Sequence, residues 1–230
     1  MKINFTPKQF IVPHIGKKLA FMLPAVFMMG FTLSILIAVG FGTDPASFMN
    51  LNIAAATGLS LGNTQVIVYT IMLVFTFIFG AQMIGFGTLA NMLLIGYIAD
   101  FFKWVWTNVG FYSYLADCTL TAKIVIFALT IVVFVIVASI YIDAGLGTAP
   151  YDALPTIISN AIPKVSFFII RILFDFSAIG IGLLAAKIGG VGIQGSLIGS
   201  VSMSILLGPV ISLVNKPLSK ILNDVDNSHR

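Results

Sequence analysis

The hydrophobic pattern divides the chain into apolar runs, each close to the roughly 20 residues that a helix rising 1.5 Å per residue needs to cross a bilayer. Four runs cover residues 19–39, 64–84, 124–142 and 166–186. A fifth follows a turn at Gly85 and ends near Trp106, and a sixth follows a turn at Gly190 and ends near Val214. Residues 45–62 are mildly apolar and small (Ile53, Ala54, Ala55, Ala56), and residues 150–163 occupy the same place between later runs. Neither segment is long enough to span, so each predicts a short helix that lies in the interface or re-enters the bilayer.

One turn pattern occurs twice, as Gly40-Phe41-Gly42-Thr43-Asp44-Pro45 and as Gly145-Leu146-Gly147-Thr148-Ala149-Pro150, 105 positions later. At that same offset Gly85 and Gly87 fall on Gly190 and Gly192, so the chain reads as a duplication. Paired glycines permit positive φ and close backbone approach, and proline at the first helical position gives up an N–H that would have no partner there. Each turn therefore ends one helix and starts another, with Thr43 or Asp44 able to cap the first start and Thr148 the second. A helix start inside a membrane offers free N–H groups and a positive dipole end, which suit an anionic or strongly polar group. A capped turn with no ligand has the same sequence, and both readings stand at this point. Neither turn carries the third glycine or the lysine of a nucleotide-binding loop.

The predicted fold is all-α: a polytopic membrane protein of six transmembrane helices, built as two three-helix repeats. An odd number of spans per repeat makes the second enter from the opposite side, so the repeats are expected to be inverted. Repeat one covers residues 19–106 and repeat two 123–214, joined by a polar connection over 107–122. A cytoplasmic N-terminal segment (1–18) and tail (215–230) flank them. Composition agrees, with 59% apolar residues, 9% charged residues and a mean hydropathy of +1.07, against roughly 25% charged in a soluble domain. The lipid bilayer is thus the first partner.

Charge sets orientation. With the N-terminus inside, Lys2, Lys8, Lys17, Lys18, Lys164, Lys216, Lys220 and Arg230 are cytoplasmic, while Lys103, Lys123 and Lys187 lie outside. That asymmetry places both termini in the cytoplasm and explains the net charge of +4 without nucleic-acid binding. Trp104 and Trp106 beside Lys103 suggest an interfacial aromatic belt.

Arg171 and Asp175 stand four apart inside the fifth predicted span, on one helical face. Each charge alone would cost about 2.5–3.5 kcal/mol at the bilayer centre, so both must face protein or water. They either fix the helix against the bundle as an ion pair or form a site in which Arg171 holds a substrate anion. Their counterparts 105 positions earlier are Val66 and Thr70, so a charged site would be asymmetric. Asp143 and Asp152 flank the second glycine turn and Asp44 sits within the first, where capping or interfacial solvation is the simpler role. Gly192, Ser196, Ser200 and Ser204, with Gly195 and Gly199 beside them, form a small-residue ridge suited to close helix packing.

Enzyme chemistry finds no footing. His14 and His229 are terminal, Cys118 is the lone cysteine and all acidic residues are aspartates, so no metal site, catalytic triad or cofactor is expected. The repeated Gly-x-Gly-Thr-x-Pro with its short helix, Gly85-Phe86-Gly87-Thr88, and Arg171-Ile172 with Asp175 together resemble the bacterial YczE/YyaS/YitT-type integral membrane proteins. The resemblance covers about residues 19–214, and Ile193 departs from the threonine expected after Gly192. It implies a multi-pass protein of the bacterial plasma membrane, in a family largely without an assigned activity. The function expected is a small-solute transporter or permease, its polar site between the repeats, for an anionic or zwitterionic solute. Candidate binding residues are Arg171, Asp175, Thr43, Asp44, Thr148 and Asp152. The alternatives are a substrate-binding subunit that works with an energising partner complex, and a non-transporting accessory protein. Homo-oligomerisation is open.

Overall fold

A computed structural model describes residues 5–206 and 210–211. Lys2, Lys216, Lys220, His229, Arg230, the end of the sixth run and the tail assigned to 215–230 lie outside the described residues. Among those described, the protein is all-helical. The helices are α1 (Ile15–Val39), α2 (Pro45–Thr57), α3 (Leu61–Gly80), α4 (Phe86–Asn108), α5 (Phe111–Asp117), α6 (Leu120–Asp143), α7 (Pro150–Ala161), α8 (Phe167–Ile188) and α9 (Leu197–Leu206).

Four stretches are long and apolar enough to cross a membrane: α1, α3 with the 3-10 turn after it, α6 and α8. Six were expected. Although α4 runs for 23 residues, Asn91, Asp100 and Lys103 interrupt its apolar run. The sixth run begins later than predicted, and its apolar helix covers only Leu197–Leu206 among the described residues. Outward faces are as apolar as inward ones, with Ile71, Phe75, Leu129, Leu173 and Leu184 all exposed, a pattern that lipid satisfies and water does not.

Local chemistry sets the helix ends. Gly40 at φ 75° closes α1, its N–H bonding the Leu36 carbonyl. Asp44 caps α2 by accepting from the Ser47 N–H at 3.0 Å, with Pro45 at the first position. The N-cap of α7 is Ala149, which has no side-chain acceptor, so Thr148 does not cap as the sequence suggested. Thr148 instead donates its backbone N–H to the Met83 carbonyl at 2.9 Å. The connection over 107–122 is not all loop, since Gly110 at φ 74° opens the short helix α5. Trp104 is exposed as a belt residue would be, whereas Trp106 turns inward and donates to Ser34 Oγ at 2.9 Å.

Helix α1 packs against α6 and α4 around a core of Met22, Val26, Leu33, Phe134 and Val137. The halves interlock: α2 of the first lies on α8 of the second, and α7 of the second lies on α3 of the first. The two glycine turns make matching contacts. A Cβ at Gly85 would collide with the Leu146 carbonyl oxygen, and one at Gly199 with the Phe41 carbonyl oxygen. Gly199 follows Gly85 by 114 positions, nine more than the offset of 105 between the turns, so Gly199 rather than Gly190 fills the place equivalent to Gly85. Gly190 turns the chain after α8 at φ 63°, and Gly192 faces open space. Of the small-residue ridge, Ser200 and Ser204 are buried and Gly199 packs on the first turn, while Gly192 and Gly195 are exposed and precede α9.

Asp100, to which the sequence assigned no role, ties α4 to α3. Its two carboxylate oxygens accept from the Leu61 and Gly62 N–H groups at 3.2 and 2.7 Å, supplementing the Ser60 cap. Asp100→Ala should lower stability by about 1–2 kcal/mol, as loss of a helix cap does, read as a drop in melting temperature in detergent.

Candidate functional site

The first turns of α2 and α7 approach the middle of the bundle, and the charged residues converge beside them. Arg171 on α8 bonds Asp152 on α7 through Nη1 at 2.6 Å and Asp175, one turn along α8, through Nε at 3.2 Å. Asp175 is 3% exposed and also accepts from the Tyr151 hydroxyl at 2.8 Å. The guanidinium carbon lies 5.4 Å from the Tyr151 ring centroid, and Phe174 meets that ring edge-on at 4.9 Å. The pairing of Arg171 with Asp175 follows the sequence expectation. Asp152, for which capping or interfacial solvation was the simpler role, keeps a side chain 40% accessible and is also Arg171's shorter ion-pair partner.

Two spaces meet at this pair. An inner cavity of about 100 Å³ is lined by Asp44, Gln65, Tyr69, Asn91, Tyr141, Asp152 and Arg171, with Met29, Leu33, Ile95 and Phe134 as apolar wall. An open cleft of about 650 Å³ is lined by Gln82, Met83, Tyr141, Thr148, Asp152, Arg171 and Asp175. Asp152, Arg171 and Tyr141 belong to both, so the ion pair stands between them.

Of the predicted binding residues, Arg171, Asp175, Asp152, Asp44 and Thr148 line one space or the other. Thr43 does not. It is buried beneath the first turn, its N–H bonding Ser200 Oγ at 3.2 Å. Among the turn residues, Pro45, Gly145 and Gly147 border the cleft, while Gly42, Gly85 and Gly87 serve backbone packing, Gly87 N–H reaching the Leu146 carbonyl at 2.6 Å. Pro150 opens α7.

Sequence reasoning missed Gln65, Tyr69, Asn91, Tyr141 and Tyr151. Tyr141 donates to the Gly87 carbonyl at 3.1 Å, and Gln65 to the Asn91 carbonyl at 2.9 Å. Tyr69 and Asn91 are 6% and 5% exposed, yet neither side chain makes a hydrogen bond among the described residues. Both side chains line the cavity, so their polar groups are open to a guest. Asp44 uses one oxygen on Ser47. Burial pushes its carboxyl above the ordinary range, Asp152 adding to the rise while the Ser47 bonds and Arg171 oppose it.

The chain belongs to a family of unknown function, DUF6198, whose model matches residues 16–216. It is 29% identical over 119 residues to the uncharacterized membrane protein YczE of Bacillus subtilis (strain 168), covering 52% of each chain. The match thus spans about half the length of that curated relative. No solved structure matches this chain.

Proposed function

We propose that this YczE-like member of DUF6198 carries a small solute across the membrane, with its binding site in the inner cavity. The carrying observation is that this cavity sits inside an apolar bundle and draws polar lining groups from both halves, Asp44, Gln65, Tyr69 and Asn91 from one and Tyr141, Asp152 and Arg171 from the other. The proposed architecture is six spans in two inverted repeats, with α4 and the run containing α9 as the third span of each half. Reciprocal packing of α2 on α8 and α7 on α3, with the matched contacts of Gly85 and Gly199, supports it. Both termini are then cytoplasmic. Gln9 agrees with the span count, since its Nε2 bonds the Ala81 and Ile84 carbonyls at the α3–α4 turn, which two spans after the N-terminus lies on the same side. Carriers commonly bind at such a repeat interface near the midplane, beside interrupted helices.

The test is uptake into liposomes holding the purified chain alone, over small cationic, zwitterionic and anionic solutes. At least one should enter saturably, and Asn91→Leu, which fills the cavity with an apolar side chain, should reduce that uptake at least tenfold. Uptake equal to that of empty liposomes across the panel would overturn the carrier reading in favour of a subunit needing a partner complex, or of an accessory role.

A further inference from the structure

The sequence pointed to an anionic or zwitterionic solute because of Arg171 and the two helix starts, but the charges that meet in the structure disfavour an anion. Arg171 is held by Asp152 at 2.6 Å and Asp175 at 3.2 Å, with Tyr151 against its face. An anion entering would have to displace a carboxylate already seated there. Asp44 lines the same cavity and reaches no cationic side chain within ion-pair distance among the described residues, so around the ion pair three carboxylates face one guanidinium. Resting on the carrier reading for its biological sense, we infer that the inner cavity binds a small organic ammonium ion, with Asp44 as its counter-ion.

The other groups around the cavity suit that ligand. An ammonium group donates hydrogen bonds and accepts none. The Asp44 oxygen not used by Ser47, the Tyr69 hydroxyl and the Asn91 side-chain oxygen Oδ1 are acceptors left open to it. The rings of Phe134, Tyr69 and Tyr141 in the same wall offer aromatic surface to the cation and its alkyl part. Size favours a small ligand: a cavity of 150 Å³ holds benzene, so about 100 Å³ suits a solute of roughly four heavy atoms. Protons compete for the same carboxylate. The titratable or charged groups facing Asp44 are Tyr69 on α3, Tyr141 on α6, Tyr151 and Asp152 on α7, and Arg171 on α8. Burial raises the Asp44 carboxyl, so acidification should weaken binding.

The experiment is equilibrium binding of labelled methylammonium to the full chain in detergent, with unlabelled glycine, acetate, tetraethylammonium and sodium as competitors. Methylammonium should bind saturably and none of the four should displace it at equal concentration. Asp44→Asn keeps a good helix cap and removes the charge. It should weaken methylammonium at least tenfold with melting temperature unchanged, and Tyr69→Phe should weaken it less. Binding that persists unchanged in Asp44→Asn, displacement by acetate, or displacement by sodium would each overturn the inference, the last in favour of a bare metal ion. The assay needs no translocation. Binding without uptake in liposomes therefore removes the carrier reading and leaves the ammonium site, whereas uptake of an anion alone does the reverse.

Discussion

Gly147→Ala and Gly42→Ala are each expected to leave little correctly folded protein. At φ 109° and 128° both residues occupy backbone that a side chain disfavours by about 1–2 kcal/mol. A Cβ at Gly147 would come within 2.6 Å of the Gly85 nitrogen and 2.7 Å of Thr88 Oγ1, and one at Gly42 within 2.7 Å of the Gly199 carbonyl carbon. Backbone cannot swing aside as a flexible side chain can. Overpacking of this kind adds about 1–3 kcal/mol, so each substitution should remove about 2–5 kcal/mol, a large part of a typical folding free energy. Gly85→Ala, whose φ of −157° is unstrained, should show the overpacking loss alone. Gly192→Ala and Gly180→Ala meet open space and should fold as the wild type does. The measurement is thermal unfolding of each purified variant by size-exclusion profile. Wild-type melting of Gly147→Ala would mean that the second turn does not dock on the start of α4.

The same contacts show what the sequence could express. A repeated Gly-x-Gly-Thr-x-Pro is legible because close backbone approach and positive φ restrict residue choice so severely that both copies keep the same letters. Legibility fails where geometry restricts less. From its glycine turn to the packed glycine the second half runs nine positions longer than the first, so a fixed offset matched Gly85 to Gly190 when the packed glycine is Gly199. By hydropathy alone α4 does not register as a span, since Asn91 and Asp100 count only as interruptions of its apolar run. In the fold one lines the cavity and the other caps a neighbouring helix. Arg171 and Asp175 were visible because charges four apart in an apolar run have few explanations. Tyr69, Tyr141 and Tyr151 were not, because a tyrosine in such a run equally suits lipid interface, core or site, and only packing against other elements decides. The ion pair of Asp152 was not visible for the same reason: its partner lies 19 positions away on another helix.

Arg171→Ala carries the largest expected effect at the site. It leaves Asp175 3% exposed with only the Tyr151 hydroxyl as donor, and it strips Asp152 of its ion-pair partner. Removing one member of a buried ion pair costs about 3–5 kcal/mol, mainly because the remaining charge is stranded. Arg171 is itself partly exposed, its side chain 26% accessible, which places the loss toward the lower end of that range. The stranded charge is the testable part. Asp175→Asn removes that charge, so the double variant Arg171→Ala with Asp175→Asn should be more stable than Arg171→Ala alone, the non-additivity expected of residues in direct contact. Arg171→Lys should recover only part, since an ammonium group is a point donor and cannot reproduce the planar fork that reaches Asp152 and Asp175 from different nitrogens. Melting temperatures of the wild type, the two single variants, the double variant and Arg171→Lys in one detergent decide it. Strict additivity of the two single losses would show that Arg171 supports α8 through packing of its alkyl chain, with the ion pair contributing nothing to stability.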